Sequence, residues 1–163
     1  MYMKKMRTLI YAVVLGLLPM SLEAAGRIKV VDGDSLFIGN REIRLSGIDA
    51  PEYHQLCFDK DGFKYECGKE ARKALARLAG PDLKCRTLVR DKYKRDVAVC
   101  ESNGINLNRK MVEDGWAVAY KRYTDEYDAA EKRAKKKHLG IWQGKFMKPE
   151  LYRILRKKTQ QRH

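Results

Sequence analysis

The chain has 163 residues and is strongly basic, with 35 Lys and Arg against 21 Asp and Glu and a formal net charge of +14. This length is typical of one domain, and 44% apolar residues with nine tyrosines exclude a disordered polycation or a collagen-like fibre. No uncharged apolar run reaches the roughly 18 residues of a membrane span. The charge of such a fold attracts polyanions, namely nucleic acid, anionic lipid or acidic polysaccharide.

The N-terminal segment has the order of a secretory signal. Three basic residues precede an apolar run at 9–18, and Pro19 and small residues follow. We predict that residues 1–25 are a signal peptide, with an uncleaved anchor as the alternative because neither Ala24 nor Ala25 gives a clean cleavage pattern. The protein is then expected to be exported, either periplasmic or secreted. We also expect a monomer, with no stable membrane partner unless this segment stays uncleaved.

Three strands are predicted next along the chain. The segments 27–31, 35–38 and 41–48 are extended and rich in β-branched residues, and turn signals of the types Asp-Gly-Asp and Gly-Asn separate them. They are expected to form an antiparallel meander. Residues 53–68 have neither helical nor strand periodicity, so this segment is predicted to be a long loop.

Helices and one hairpin complete the domain. Apolar spacing and capping residues predict helices at 69–79, 106–114 and 125–138. Residues 151–158 are expected either to form a last basic helix or to fray. Strands at 84–90 and 95–101 are predicted to pair around a turn, with Arg90 opposite Arg95. Five strands with these helices predict a small Greek-key barrel.

The chain contains four cysteines, all after the predicted signal. An even number of cysteines in an exported protein indicates disulfides, and four allow three pairings. The predicted hairpin places Cys85 directly opposite Cys100, close enough to bridge. Cys57 and Cys67 are then expected to close the loop between them. The absence of a Cys-x-x-Cys pair disfavours a zinc site.

Acidic residues are concentrated at two strand ends. Asp32 and Asp34 flank a glycine in the first turn, and Asp49 and Glu52 follow the third strand. Because carboxylates held close together repel one another, a bound hard cation such as Ca²⁺ or Mg²⁺ is the simplest explanation of this cluster. Asp-Gly-Asp is also an ordinary turn sequence, so a turn without a metal is the alternative.

Two arginines are expected near these carboxylates. Arg44 lies in the third strand, and Arg95 begins the strand that should neighbour it in a closed barrel. A guanidinium group offers two parallel donors to a phosphate, and phosphoryl transfer requires fixed positive charge on the phosphate oxygens. With a cation and a carboxylate beside a water molecule, the arginines would form a phosphodiesterase site. The alternative is that both form structural salt bridges with Asp34, Asp49 or Glu52.

Four segments, in order, resemble the staphylococcal nuclease (thermonuclease) family. They are Val-Val-Asp-Gly-Asp-Ser at 30–35, Arg-Leu-Ser-Gly-Ile-Asp-Ala-Pro-Glu at 44–52, Asp-Lys-Tyr-Lys-Arg at 91–95 and Leu-Gly-Ile-Trp at 139–142. The resemblance implies an α+β fold, an OB-type five-stranded Greek-key β-barrel with three packed α-helices, over residues 26–144. A basic extension at 145–163 follows. The activity implied is Ca²⁺-dependent cleavage of DNA and RNA that leaves 3′-phosphate ends.

The resemblance also implies a role for each acidic residue. Asp34 and Asp49 resemble the side-chain ligands of the calcium ion, and the carbonyl of Ala50 resembles the backbone ligand. Asp32 resembles an outer-shell carboxylate. Glu52 occupies the position of the residue proposed to activate the attacking water.

Arg44 and Arg95 resemble the two phosphate-binding arginines of the family. Four further residues resemble those that hold a bound nucleotide: Lys92, Tyr93, Tyr120 and Tyr123. The chain departs from the family at Lys94 and Asp96, where glycine or another small or neutral residue is common. Asp96 could pair with Arg95 and so weaken the binding of phosphate by Arg95.

Two other functions fit the same composition. One is an OB-type module that binds nucleic acid without cleaving it, and the other is an envelope interaction module whose basic face binds anionic lipid or polysaccharide. Neither function requires the carboxylates and both arginines together. The sequence therefore favours the nuclease.

Overall fold

The computed structural model describes residues 27–121 and 124–161. The predicted signal segment and Tyr123 lie outside these residues. In chain order, the strands are β1 (Ile28–Val30), β2 (Ser35–Ile38), β3 (Arg41–Leu45), β4 (Ile48–Asp49), β5 (Cys57–Phe58), β6 (Lys64–Tyr65), β7 (Lys84–Arg90), β8 (Asp96–Ser102), β9 (Ile105–Asn106) and β10 (Val118–Ala119). The helices are α1 (Cys67–Leu78), α2 (Leu107–Glu113), α3 (Asp128–Lys136), a 3₁₀ helix (Gly140–Gln143) and α4 (Pro149–Gln160).

The main sheet has the strand order β1-β2-β3-β8-β7, and the short β9 pairs with β8. Strands β1 to β3 form the predicted antiparallel meander, β3 pairs with β8 in parallel, and β7 and β8 form the predicted hairpin. This mixed sheet with its helices has the OB-type α+β architecture expected from the sequence. Alternation along β3 buries Ile43 and Leu45 in the core and directs Arg44 to the opposite face.

The β7–β8 hairpin contains a β-bulge that the sequence did not predict. Cys85 pairs with Cys100 as expected, but the register shifts by one residue between Thr87 and Val89. Arg90 therefore lies opposite Asp96, and the predicted pairing of Arg90 with Arg95 is wrong. The bulge replaces a pair of like charges by an arginine and an aspartate, which attract each other.

The segment predicted to be a long loop contains a small hairpin. Strands β5 and β6 pair antiparallel, and the disulfide Cys57–Cys67 joins the hairpin to the first residue of α1. Helix α1 begins at Cys67, two residues before the predicted start at residue 69. The second disulfide, Cys85–Cys100, is also present. Two disulfides are typical of a protein that folds in an oxidising compartment.

The C-terminal extension, which lies beyond the three helices that the resemblance implied for residues 26–144, forms a fourth α-helix that is largely exposed. Pro149 occupies the first turn of α4, where a proline is well tolerated, and the helix continues for twelve residues. The sequence had left a helix or a frayed end open here. Within the described part of the chain, we find no helix with the length and apolarity that crossing a membrane requires.

A buried asparagine, Asn108, connects strand β8 to the segment between β3 and β4, which leads to Asp49. The side-chain amide of Asn108 donates to the carbonyls of Ser46 (2.9 Å) and Ala98 (3.0 Å), and its oxygen accepts from the Cys100 amide (3.0 Å). The side chain is fully buried and has partners for both its donors and its acceptor. It therefore fixes the end of β3 relative to β8.

Candidate active site

Asp34 lies at the end of the turn between β1 and β2. Its backbone amide donates to the Asp32 carboxylate at 3.0 Å, which closes the turn. A Cβ atom on Gly33 would lie 2.6 Å from the Cβ of Ala50, so only glycine allows this close approach. The Asp34 side chain is 1% exposed and accepts from the Ala50 amide at 2.6 Å. The turn and the segment after β4 are thereby held together.

Asp49 reaches the same place from β4. Its strand pairs with β10, where Val118 is its partner, and the Asp49 side chain is almost completely buried. Each of the two acidic segments therefore contributes one buried carboxylate, Asp34 or Asp49. Burial of such groups is strongly unfavourable unless they are paired with positive charge or hydrogen-bond donors.

Arg44 supplies that positive charge. One terminal nitrogen of its guanidinium donates to the Asp34 carboxylate and the other donates to Asp49 at 2.9 Å. Burial lowers the pKa of Arg44, and the charges of Asp49 and Asp32 oppose this shift. Burial likewise raises the pKa of Asp32, against the effect of Arg44. In this structure Arg44 thus forms the salt bridges that were the alternative to phosphate binding.

Glu52 is presented by a loop that is organised around Gln55, a residue that the sequence analysis missed. The backbone amide of Gln55 donates to the Glu52 carbonyl at 2.7 Å. The backbone amide of Glu52 donates to the side-chain oxygen of Gln55 at 3.2 Å. The same side chain donates to the Met147 carbonyl at 2.6 Å. Gly68 packs so closely that a Cβ atom there would lie 1.8 Å from the Glu52 carbonyl oxygen. No sequence pattern distinguishes this buried glutamine from an exposed one.

Arg153 of α4 also enters the site, and the sequence did not predict it. Its guanidinium donates to both oxygens of Asp49 (2.8 and 3.1 Å) and to Glu52 (2.8 Å). Partial burial disfavours its charge, but the hydrogen bonds to the two carboxylates outweigh this and raise the pKa of Arg153. The only signal available was the predicted basic helix, which does not indicate where its side chains point.

Arg95 is held by Asp91. The two side chains form a salt bridge at 2.8 Å, and the Asp91 carboxylate also accepts from the backbone amides of Tyr93 and Arg95 at 2.9 and 3.0 Å. Burial disfavours the charge of Asp91, but these bonds outweigh it and lower its pKa. The Arg95 guanidinium lies 5.5 Å from the centre of the Tyr93 ring. Lys94 has a φ of 68°, the conformation that glycine adopts readily.

Asp96 does not pair with Arg95, and that expectation is wrong. Its carboxylate accepts from Arg41 at 2.8 Å and from Arg90 at 3.1 Å, and these two hydrogen bonds lower its pKa. Successive residues of a strand point to opposite faces, so neighbours in sequence are poorly placed to contact each other. Asp96 therefore leaves Arg95 at the cleft.

Seven of the predicted residues line two cavities, and the buried Asp34 and Ala50 line neither of them. A cleft of about 500 Å³ is lined by Asp32, Glu42, Arg44, Glu52, Tyr93, Arg95, Arg153 and Lys157. We call it the arginine cleft. Asp49 lines a neighbouring cavity of about 350 Å³, as does Tyr120, whose hydroxyl lies 3.2 Å from the Glu150 carboxylate. Lys92 lies at the exposed tip of the hairpin, 5.1 Å from the centre of the Tyr93 ring.

The donor chemistry suits a hard cation. Asp34 and Asp49 offer buried carboxylate oxygens, the ligands that Ca²⁺ and Mg²⁺ prefer. Within residues 27–121 and 124–161, three or more His, Cys, Asp or Glu side chains do not converge in a way that could hold a metal. A cation held by the two aspartates would need its remaining ligands from backbone carbonyls or water, which is compatible with oxygen-ligated metals.

The fold and the site define an OB-type α+β protein whose cleft combines arginines with carboxylates. Residues 42–144 match the family described as Staphylococcal nuclease homologue. The chain belongs to this family. The match ends before α4 and Arg153.

Three relatives show how far the similarity extends. The chain is 38% identical over 123 residues to "Succinoglycan biosynthesis protein ExoI" of Rhizobium meliloti, covering 72% of this chain and 63% of that protein. It is 33% identical to "Uncharacterized endonuclease" of Haemophilus influenzae, covering 71% and 64%. It is 30% identical over 133 residues to "Micrococcal nuclease" of Shigella flexneri, covering 71% of each. The chain thus spans less than two thirds of the length of the first two relatives.

Proposed function

We propose that this protein is a metal-dependent phosphodiesterase that cleaves DNA and RNA as an endonuclease. The observation that carries the proposal is the arginine cleft, which brings Arg44, Arg95 and Glu52 together. The buried aspartates that Arg44 bridges supply the cation ligands beside it. The names of the relatives from H. influenzae and S. flexneri support a nuclease.

The roles of the side chains follow from their chemistry. A substrate phosphate lies between Arg44 and Arg95, whose guanidinium groups bind its oxygens and stabilise the charge that develops on them. Glu52 accepts a proton from the attacking water, and the 5′-oxygen leaves, so that the product ends in a 3′-phosphate. A calcium ion, when bound by Asp34, Asp49 and the Ala50 carbonyl, supplies further positive charge at the phosphate. Electrostatic stabilisation accounts for most of the rate enhancement.

Substrate must replace existing ion pairs. Arg95 exchanges Asp91 for phosphate, while the two backbone amides that bind Asp91 keep that carboxylate in place. Tyr93 lies beside Arg95 in the cleft and offers an exposed ring on which a base can stack. Tyr120 lies in the neighbouring cavity, so we assign it no contact with the scissile phosphate.

The proposal is tested with the purified, oxidised protein. Labelled single-stranded DNA, duplex DNA and RNA are incubated with Ca²⁺ and then with a calcium chelator. We expect cleavage with Ca²⁺, loss of cleavage with the chelator, and strong impairment in Arg95→Ala. The matched control is Arg86→Ala, which removes an exposed arginine of the same hairpin outside the arginine cleft.

The alternative is a module that binds nucleic acid or an envelope polyanion without catalysis. Tight, salt-sensitive binding with no cleavage under any metal condition would favour it over the nuclease. Because the composition also fits binding of an acidic polysaccharide, and one relative is named "Succinoglycan biosynthesis protein ExoI", such a polymer belongs in the same binding assay. Preferential binding of that polymer without cleavage would contradict the proposed function.

A further inference from the structure

Arg153 occupies the carboxylate oxygens at which a cation would bind. It forms a fork with both oxygens of Asp49 and a third hydrogen bond with Glu52. Arg44 donates to the Asp49 oxygen that accepts from the first nitrogen of Arg153. Every oxygen of Asp49 therefore has a guanidinium donor. Three guanidinium hydrogen bonds thus occupy most of the acceptor sites of this carboxylate, so a cation coordinated by it competes with the fork.

The helix that carries Arg153 is tied to the site near its N-terminus. Gln55 bonds to the Met147 carbonyl at 2.6 Å, just before α4. The Tyr152 hydroxyl lies 3.5 Å from the His54 carbonyl, so α4 is also held to the loop that presents Glu52. An arginine tethered in this way has a high effective concentration at the carboxylates.

We propose that Arg153 is an internal competitor of the divalent cation at Asp49 and Glu52. In the cation-free protein its guanidinium neutralises both carboxylates, and binding of the cation releases it from them. The proposal rests on the metal dependence proposed above. It assigns to α4, which lies outside the family match, the role of setting the affinity of the site for its metal.

Calcium affinity measures this competition without reference to catalysis. Calcium is titrated by calorimetry into chelator-treated protein, comparing the wild type with Arg153→Gln. We expect the variant to bind Ca²⁺ about tenfold more tightly, because a charge-assisted hydrogen-bonded pair no longer has to be broken. Arg153→Lys should lie between them, since an ammonium keeps the charge but lacks the planar fork.

Lys157→Gln is the matched control. Lys157 is one turn further along α4, lines the same cleft and has the same charge as Arg153. An equal gain in this control would show that removing any positive charge suffices and would overturn the proposal. Unchanged or weaker calcium binding by Arg153→Gln would also overturn it. Absence of calcium binding in every protein would instead refute the metal dependence on which the proposal rests.

Hydrogen exchange of the wild type provides a measurement that needs no variant. Release of Arg153 removes three hydrogen bonds between α4 and the site. Calcium should therefore accelerate amide exchange in residues 149–160 while the core strand β8 is unaffected. Calcium binding that leaves exchange in α4 unchanged would contradict the displacement. DNA cleavage measured in parallel samples tests the proposed nuclease activity independently of this displacement.

Discussion

Asp91 and Asp96 form salt bridges with different arginines at the β7–β8 hairpin and the neighbouring strand β3. Asp91 pairs with Arg95 and holds it at the arginine cleft, while Asp96 pairs with Arg41 and Arg90 on another face. Because Asp96 follows Arg95 directly in the sequence, we had expected that these two residues could pair with each other. The direction of each side chain, set by the pleat of the strand, decides which arginine remains available for phosphate.

Replacement of Arg95 should affect the transition state more than binding. Arg95→Ala removes a guanidinium that stabilises charge developing on the phosphate, so we expect kcat to fall by roughly 10² to 10³, by analogy with loss of an oxyanion donor. The dissociation constant for single-stranded DNA should change much less. Steady-state kinetics and a binding titration measure the two effects. Equal losses in both would contradict a role confined to the transition state.

Asp96 should stabilise the fold at neutral pH and contribute to its loss of stability in acid. Its pKa is lowered in the folded protein, so the folded state binds this proton less readily than the unfolded chain does. The stabilisation is present above the unfolded pKa of about 4 and is lost as the pH falls through the lower folded value. Asp96→Asn should reduce the free energy of unfolding at pH 7 and flatten its decline in acid.

Urea unfolding between pH 2 and pH 7 measures this effect. Asp61→Asn, at an exposed carboxylate in the turn between β5 and β6, is the control and should leave the pH profile parallel to that of the wild type. A profile for Asp96→Asn as steep as the wild-type profile would show that the ion pairs with Arg41 and Arg90 do not stabilise the fold.

The loop that presents Glu52 rests directly on the N-terminus of α1. A side chain at Gly68 would collide with the Glu52 carbonyl, so Gly68→Ala must displace one of the two segments. Overpacking of this kind costs about 1–3 kcal/mol of stability. We expect lower thermal stability and a lower kcat, measured by calorimetry and by the cleavage assay. Lys69→Ala, at the next residue of α1, should be nearly neutral by comparison.

The sequence predicted those elements whose signals are local. Strand alternation, turn residues and the spacing of cysteines indicated the meander, the hairpin and both disulfides. The Asn106 side chain accepts from the Arg109 amide and begins α2 as expected. The bulge in β7 escaped prediction because its register depends on packing between strands. The third predicted helix begins at Asp128, three residues after its expected start.

Part of the candidate site could also be predicted from local sequence signals. Asp34, Asp49 and Arg44 lie at the strand ends where turns place them, so their convergence could be inferred. The contact between Arg153 and Glu52 joins residues 101 positions apart. Such a contact depends on how α4 docks, which no periodicity encodes. Gln55 was missed because its importance comes from burial and not from residue type.

For the whole molecule, the charge of +14 should dominate the encounter with nucleic acid. Binding of single-stranded DNA in the presence of chelator should weaken about tenfold or more between 50 and 200 mM salt if three or more phosphates are neutralised. Fluorescence anisotropy at several salt concentrations measures the slope. A salt-independent affinity would mean that uncharged contacts carry the binding and would contradict an electrostatic track.

The Cys57–Cys67 bond has a consequence for the cell that makes the protein. The bond closes the segment between Gln55 and Gly68, the two residues on which the backbone of Glu52 rests. A newly synthesised chain with free thiols has its arginines but lacks the covalent closure behind its proposed base. Formation of the disulfide, which an oxidising compartment favours, therefore completes the closure behind Glu52. For the nuclease that we propose, a chain kept in a reducing compartment beside the genome would lack this closure.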